Sequence, residues 1–487
     1  MNDLAIRDVV IVDGTGRPGV EGSVAVDGGR IAAVGSSVGP AEVEIDGHGM
    51  VLSPGFVDTH THDDAAFLQH PGLEFKLAQG CTSLVIGNCG LSAAPASTGS
   101  ALGFLFSGLE ASWDDLSGYR RVVSEARPAC NAMALVGHNT LRWAAMRRAA
   151  RPPTDAELTR MRDAVSQAME QGACGFSTGL VYVPGRFSET EEIVALASAV
   201  APFGGIYATH IRNEREQLLS AVDEAIQIGR EAGVPVHISH HKAAGRRNWG
   251  KVGESLARVD EADAAGTPVT LDVYPYTAGS GPMIEYFDLD HIDLDLAAST
   301  RLASCPAFPA YEGRHLVDIA SEEGVELAEL VRRILTAPDG PKTICINFII
   351  DEADIETNLR HPRMMIGSDG IPDLAGRPHP RLFGTMPRIL GEYVRERGVL
   401  TLEEAVRRMT SLSCQRFGLA DRGEIREGWW ADLVLFDPAV VADRATYDEP
   451  AQEPVGVELV VVNGQVASEH GRHTRAGSGR VLRYGEA

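Results

Sequence analysis

Lysine is almost missing from this chain: of 44 basic residues, only Lys76, Lys242, Lys251 and Lys342 are lysines. Long apolar runs are missing too. No stretch approaches the roughly 18 residues that a membrane-spanning helix needs, so no membrane partner is expected. The opening residues, Met1 to Arg7, lack a basic segment followed by an apolar one, which argues against a secretion signal and for a cytoplasmic protein. Positive charge is in deficit: the formal net charge of -23 repels nucleic acid and anionic lipid, and excludes both as expected partners. The cysteines at 81, 89, 130, 174, 305, 345 and 414 are odd in number and scattered, so they do not form a disulfide framework. Most are expected as reduced, small core residues.

A hydrophobic content of 44% over 487 residues is enough to bury a large core. Residues 4–50 read as short strands punctuated by turns such as Asp13-Gly14 and Asp27-Gly28-Gly29, an antiparallel module. From Val51 the texture changes to apolar runs separated by helical segments, the signature of parallel βα units. The runs lie at 51–59, 82–87, 131–137, 173–178, 205–211, 234–240, 268–274 and 364–369, and eight of them predict a (β/α)8 TIM-like barrel. Helical spacing covers 189–202, 214–232, 254–265 and 402–417. The Asp-rich interval that follows the seventh run breaks the alternation and reads as an insertion at about 285–342. After Gly423 the β texture returns, so residues 1–52 and 420–487 are expected to pair as a small β-sandwich beside a barrel of residues 53–419.

In such a barrel the functional residues sit at the carboxyl ends of the strands. The first run ends in Asp58-Thr59-His60-Thr61-His62, with His60 and His62 two apart and so on one face of a strand. Cys89 follows the second run between Gly87 and Gly90, whose lack of a Cβ permits close backbone approach. His210 ends the fifth run, and strand alternation places His240 and Lys242 of the sixth on one face with His241 on the other. Asp272 and Tyr274 end the seventh run, and Asp369 ends the eighth in Gly367-Ser368-Asp369-Gly370. Imidazole, thiolate and carboxylate donors suit Zn²⁺, which lowers the pKa of a coordinated water and polarises a carbonyl. Asp369 is placed to take a proton and pass it to a leaving nitrogen, which is hydrolysis of an amide-like bond. His70, His138, His237, His241, His470 and His473 read as ordinary packed or exposed rings.

The order Pro54-Gly55-Phe56-Val57-Asp58-Thr59-His60-Thr61-His62, His210, His240 and Gly-Ser-Asp-Gly at 367–370 resembles the amidohydrolase superfamily. Within it, Gly87-Asn88-Cys89-Gly90, Ser177-Thr178-Gly179-Leu180-Val181-Tyr182, Ser239-His240-His241-Lys242, Tyr274-Pro275-Tyr276 and His379-Pro380-Arg381 are similar to the N-acyl-D-amino-acid deacylases. Many relatives bridge two metals with a carboxylated lysine from the fourth strand, but no lysine occurs here between Lys76 and Lys242, and Cys89 offers the alternative bridge. The resemblance implies that Cys89, His210 and His240 hold a tighter zinc, that His60 and His62 form a weaker second site, and that Asp369 is the proton shuttle.

An N-acyl amino acid presents a free α-carboxylate, for which Lys242 is the first partner and Arg381 the second, with Tyr274 and Ser280 as donors by the same resemblance. Arg377 competes with Arg381 because it lies closer to Asp369 in sequence. Tyr182, beyond the fourth run, is a candidate donor to a developing oxyanion. Arg301 and Arg314 in the insertion are available to meet an acidic side chain, though no motif places them. The expected activity is hydrolysis of N-acyl-D-amino acids, with the D-hand resting on the resemblance. A dipeptidase for C-terminal D-residues is a close alternative, a hydantoinase-type cyclic amidase a more distant one, and a non-catalytic barrel would be expected to have lost ligands that are all present here.

Overall fold

The computed structural model describes residues 1–95, 109, 113–374 and 376–486. The apolar runs fold as parallel strands β1 (Phe56–Asp58), β2 (Cys81–Ile86), β3 (Asn131–Gly137), β4 (Gly175–Gly179), β5 (Ile206–His210), β6 (Val236–Ile238), β7 (Val269–Val273) and β8 (Met364–Ile366). They hydrogen-bond to one another in chain order, as a barrel requires. The seam between β8 and β1 is closed by single backbone bonds: the Asp369 N–H donates to the His60 carbonyl at 2.8 Å and the His62 N–H to the Gly370 carbonyl at 3.2 Å. Alternation along each strand splits the core in two. Leu84 and Ile86 pack outward against helices, while Val85 points inward with Val57, Met133, Leu135, Ala208 and Met365.

The surrounding helices have readable ends. Asp155–Glu170 starts on a capping box in which Thr154 and Glu157 satisfy each other's backbone N–H groups. Leu218–Ala232 stops at Gly233, whose φ of 69° is the left-handed stop that glycine adopts freely. The helix expected over 402–417 is two, Leu402–Met409 and Ser411–Phe417, broken at Thr410 where the backbone leaves the helical region (φ -133°, ψ -94°). All seven cysteines are buried and unpaired. No helix among the described residues is long and apolar enough to cross a membrane.

Strands from both chain ends form one nine-stranded sheet around Leu4, Ile6, Val24, Leu52, Leu433 and Val461. Its junction is the strand Val51–Pro54, parallel to Asn2–Ile11 and antiparallel to Leu433–Phe436. The run expected as one barrel strand over 51–59 is therefore two. The Gly55 N–H is drawn to the Asp432 carbonyl at 2.8 Å, and a Cβ on Gly55 would lie 2.2 Å from the Thr82 side chain. The Pro54-Gly55 pair lets the chain leave the end sheet and enter the barrel. After β7, strands Gly279–Pro282, Thr300–Ser304 and Ile344–Asn347 make a separate antiparallel sheet with Ile344–Asn347 in the middle, and it reaches beyond the irregular interval expected there because Gly279–Pro282 and Ile344–Asn347 lie on either side of that interval.

Candidate active site

The carboxyl ends of β1, β2, β5, β6 and β8 converge on one buried cluster. Cys89, His240 and Asp369 all have left-handed backbone, with φ of 54°, 36° and 50°. Such conformations cost a non-glycine residue energy and gather where function demands a particular aim. His240 is thus not part of an alternating strand. It still lies next to Lys242, whose Nζ is 2.9 Å from His240 Nδ1, while His241 turns away to Asn358 and Ser255. The turn that presents Cys89 is pressed against its neighbours. A Cβ on Gly87 would meet the Leu135 carbonyl oxygen at 2.2 Å, and one on Gly90 would meet Asn139 Nδ2 at 2.7 Å.

Cys89 Sγ lies 3.3 Å from His60 Nε2, 3.5 Å from His240 Nε2 and 3.8 Å from His210 Nδ1. Three overlapping donor groups result: His60 with Cys89 and His240, His60 with His62 and Asp369, and His210 with Glu214 and His240, each spanning no more than 4.8 Å. Every member except Glu214 is buried. Nitrogen, sulfur and carboxylate donors turned toward one another in this way are the donor set of a zinc-type centre.

The polar shell behind these donors orients them. Asp272 takes His237 Nε2 at 2.8 Å and His60 Nδ1 at 3.4 Å on one oxygen, and the His240 N–H at 2.8 Å on the other. That leaves the Nε2 of His60 facing Cys89. Glu214 Oε1 lies 2.9 Å from His240 Nδ1 and 3.8 Å from His210 Nε2, and receives the Lys242 ammonium. Asp369 Oδ1 stands 3.2 Å from His62 Nε2 and 3.6 Å from His60 Nε2, while its other oxygen pairs with Arg381 at 2.9 Å. Burial would push the Asp369 carboxyl up, but Arg381 and His240 hold it well below the usual carboxylate range. Burial opposes the Cys89 thiolate as well, yet the neighbouring His60 and His240 pull its pKa well below that of a free thiol. His62 is pushed up to about 9, burial being outweighed by its bonds to Asp369 and Cys89.

The profile of the Amidohydrolase family matches residues 43–467. The chain belongs to the amidohydrolase family. It is 43% identical over 467 residues to the N-acyl-D-glutamate deacylase of Alcaligenes xylosoxydans xylosoxydans, covering 95% of this chain and 93% of that one. It is 42% identical over 484 residues to the D-aminoacylase of the same organism, covering 99% and 97%. A crystal structure of the Bordetella bronchiseptica N-acyl-D-glutamate deacylase superposes with a TM-score of 0.91 at 40% identity, over 99% of both chains. That protein was crystallised with zinc and a phosphonate mimic of the reaction's tetrahedral intermediate. The present amidohydrolase is a metal-dependent enzyme of this family.

The other expected site residues fall as follows in this amidohydrolase. Tyr182 reaches the cluster, its hydroxyl 3.3 Å from His210 Nδ1. Tyr274 lies under the Arg381 guanidinium at 4.5 Å, and the Ser280 carbonyl accepts from Arg381 at 3.2 Å. Arg377 is elsewhere: its side chain lies against Gly313 and its N–H donates to the Ala303 carbonyl, so Arg381 is the arginine beside Asp369. Arg301 and Arg314 are paired with Asp448 at 2.7 Å and Glu322 at 2.6 Å. Two contributors escaped sequence reasoning. Glu214 reads as an acidic helix start, but the helix begins only at Leu218 and Glu214 is a loop carboxylate in the cluster. Lys76, fully buried, donates to Asp58 at 2.7 Å and to Ser368 Oγ at 3.0 Å. The scarcity of lysine in the chain is the signal that could have singled it out.

Proposed function

We propose that this amidohydrolase cleaves the linear amide bond of N-acyl-D-amino acids, releasing a carboxylate and a free D-amino acid. The observation that carries the reading is the placement, in one site, of a buried imidazole–thiol cluster beside two cations, Lys242 and Arg381, suited to a substrate α-carboxylate. The relatives named for this reaction support it. Zinc is the ion that the donors suit. The family resemblance assigns the tighter site to Cys89, His210 and His240, where Cys89 Sγ lies 3.8 Å from the His210 ring and 3.5 Å from that of His240, and the weaker one to His60 and His62. Bound there, zinc supplies Lewis-acid polarisation of the scissile carbonyl and a water of lowered pKa.

The chain's own residues do the rest. Asp369 faces the ligand histidines and is kept ionised by Arg381, so it accepts the proton of the attacking water and delivers it to the amide nitrogen as the bond breaks. Lys242 and Arg381 hold the α-carboxylate, with Tyr274 and Ser280 as further donors, and fix the amide in register with Asp369. Lys242 and Arg381 keep their pairs with Glu214 and Asp369 while they meet the α-carboxylate. The Tyr182 hydroxyl donates to the carbonyl oxygen as charge develops there.

The test compares N-acetyl-D-methionine with its primary carboxamide, each with zinc supplied and with a chelator. Zinc-dependent turnover that favours the free carboxylate by roughly 100-fold is expected from two charge-assisted contacts. Zinc-loaded protein that treats the two compounds alike, or ignores both, overturns the reading.

A further inference from the structure

We propose that His379 is a positioning residue for the substrate α-carboxylate: its ring fixes Arg381 against the strand that carries Ser280, and Tyr447, on a connection of the end sheet, holds that ring in place. This inference rests on the deacylase reading above. Of His379-Pro380-Arg381, the arginine meets Asp369, while His379 is 4% exposed and engages both of its ring nitrogens. Nε2 lies 2.9 Å from the Ala278 carbonyl, which can only accept, so Nε2 carries the proton. Nδ1 is then the lone pair that takes the Arg381 N–H at 3.0 Å. Burial and the Arg381 guanidinium hold the ring well below the ordinary imidazole pKa, which keeps it in this neutral form.

The two bonds close a small frame. Arg381 opens the helix Arg381–Arg388, where backbone N–H groups have no partner within the helix, so the Nδ1 bond sets where that helix begins. Ala278 immediately precedes the strand Gly279–Pro282, whose Ser280 carbonyl accepts Arg381 Nη2 at 3.2 Å. With the ring in place, the guanidinium lies over the Tyr274 face at 4.5 Å and keeps Nη1 on Asp369. Without it, the hydrogen bonds between helix start and strand would run only through the guanidinium that must also meet the substrate. Aromatic rings box the imidazole: Tyr276 at 5.3 Å and 88°, and Tyr447 at 5.1 Å and 78°, both edge-to-face. Tyr447 lies between the strands Leu433–Phe436 and Val457–Val462 of the end sheet and also packs on Phe348 at 4.8 Å. The same connection places Asp443 3.3 Å from Arg388 and 3.4 Å from the Tyr276 hydroxyl. A segment that supplies nothing to the metal donor groups thereby reaches the carboxylate end of the site.

The experiment measures kcat and KM for N-acetyl-D-methionine and its primary carboxamide, with zinc content determined on the same samples, in wild type, His379→Phe, His379→Asn, His379→Gln and Tyr447→Leu. Phenylalanine keeps a ring and drops both bonds, asparagine retains an acceptor at the Nδ1 position, and glutamine retains a donor at the Nε2 position. His379→Phe should lower kcat/KM for the carboxylate by about tenfold or more, mostly through KM, and for the carboxamide by no more than about threefold, because the loosened group is a carboxylate partner. His379→Asn and His379→Gln should each fall between His379→Phe and wild type. Tyr447→Leu should shift the carboxylate-to-carboxamide ratio in the same direction by about threefold, the scale of one lost ring contact. Each ratio compares two substrates on the same enzyme, so a general loss of folding or metal cancels. Equal losses on both compounds in His379→Phe, or a wild-type ratio in either His379→Phe or Tyr447→Leu, overturns the inference and leaves the deacylase reading standing. If His379→Phe yields no folded protein, the ratios of His379→Asn, His379→Gln and Tyr447→Leu decide by the same criterion. Zinc-loaded wild type that ignores both compounds, or treats them alike, removes both readings.

Discussion

Replacing Lys76 by methionine should loosen the seam on which the active site is built. Lys76 is fully buried, with its ammonium 2.7 Å from Asp58, 3.2 Å from Asp63 and 3.0 Å from Ser368 Oγ. Asp58 in turn accepts the Ser368 N–H at 2.7 Å and the His60 N–H at 3.4 Å, so one lysine pins both the strand end that carries His60 and the turn that carries Asp369. Burial works against its charge, but Asp58 and Asp63 raise its pKa further than burial lowers it, and the cation is retained. Removing one partner of a buried ion pair costs about 3–5 kcal/mol, because the remaining carboxylates are left buried and uncompensated. For 487 residues the unfolding entropy is roughly 1 kcal/mol/K, which converts that loss to a Tm lower by about 4 °C. Displacement of Asp369 from its working position should also lower kcat by roughly tenfold to 100-fold. Thermal scans of zinc-loaded protein at one fixed rate, with turnover measured on the same samples, provide the assay. The double variant Lys76→Met/Asp58→Asn should recover part of the Tm, since it removes one stranded charge. A Lys76→Met protein with Tm within 1 °C of wild type and unchanged kcat would refute the reasoning, on the roughly 1 kcal/mol/K scale above.

Three further outcomes follow from the geometry. Asp369→Asn should lower kcat by about 10²–10⁴-fold with zinc content unchanged, as loss of a proton-transfer group predicts; elemental analysis showing metal loss would contradict the assignment. Cys89→Ala removes the thiol that faces His60, His210 and His240, and should deplete zinc; a variant with full metal content would sink the role given to this residue. Asp64 holds the Cys89 turn by accepting the Gly87 and Ala93 N–H groups at 3.1 and 3.0 Å, and burial pushes its carboxyl up from 3.8 to about 6 despite those bonds. The folded state then binds this proton more tightly than the unfolded one, so stability falls as pH rises from about 4 to about 6 and levels off above. That difference amounts to about 3 kcal/mol, and Asp64→Asn should lack it. The variant's Tm relative to wild type should rise by about 3 °C between pH 4 and pH 7, and a parallel pH dependence in the two proteins would exclude this account.

The barrel was legible because buried parallel strands are continuous apolar runs, and those over 131–137, 205–211 and 268–274 coincide closely with β3, β5 and β7. The split of 51–59 was not, since the partner that draws Gly55 away is Asp432, far along the chain. His60, His62, Cys89, His210, His240 and Asp369 could be collected from strand ends alone, and the structure brings them into overlapping donor groups. The neighbourhood of His240 and Lys242 was reached by strand alternation, whereas the chain achieves it through a left-handed turn at His240. Asp272 was legible as the end of the seventh run but not as the carboxylate behind His60 and His237, and Glu214 and Lys76 carried no local pattern of their own. Their positions depend on side-chain contacts across the barrel, and the pair Asp58–Ser368 spans 310 positions. Choosing Arg381 over Arg377 likewise needed three dimensions, because Arg377 is the nearer of the two to Asp369 in sequence.

The central claim is zinc-dependent hydrolysis of N-acyl-D-amino acids, and the most direct measurement is release of free amino groups from paired panels of N-acetyl-D- and N-acetyl-L-amino acids, with zinc supplied and with a chelated control. Turnover confined to the D-panel and abolished by chelation is the predicted result. Turnover of the L-panel, or none on either panel with zinc bound, would contradict it.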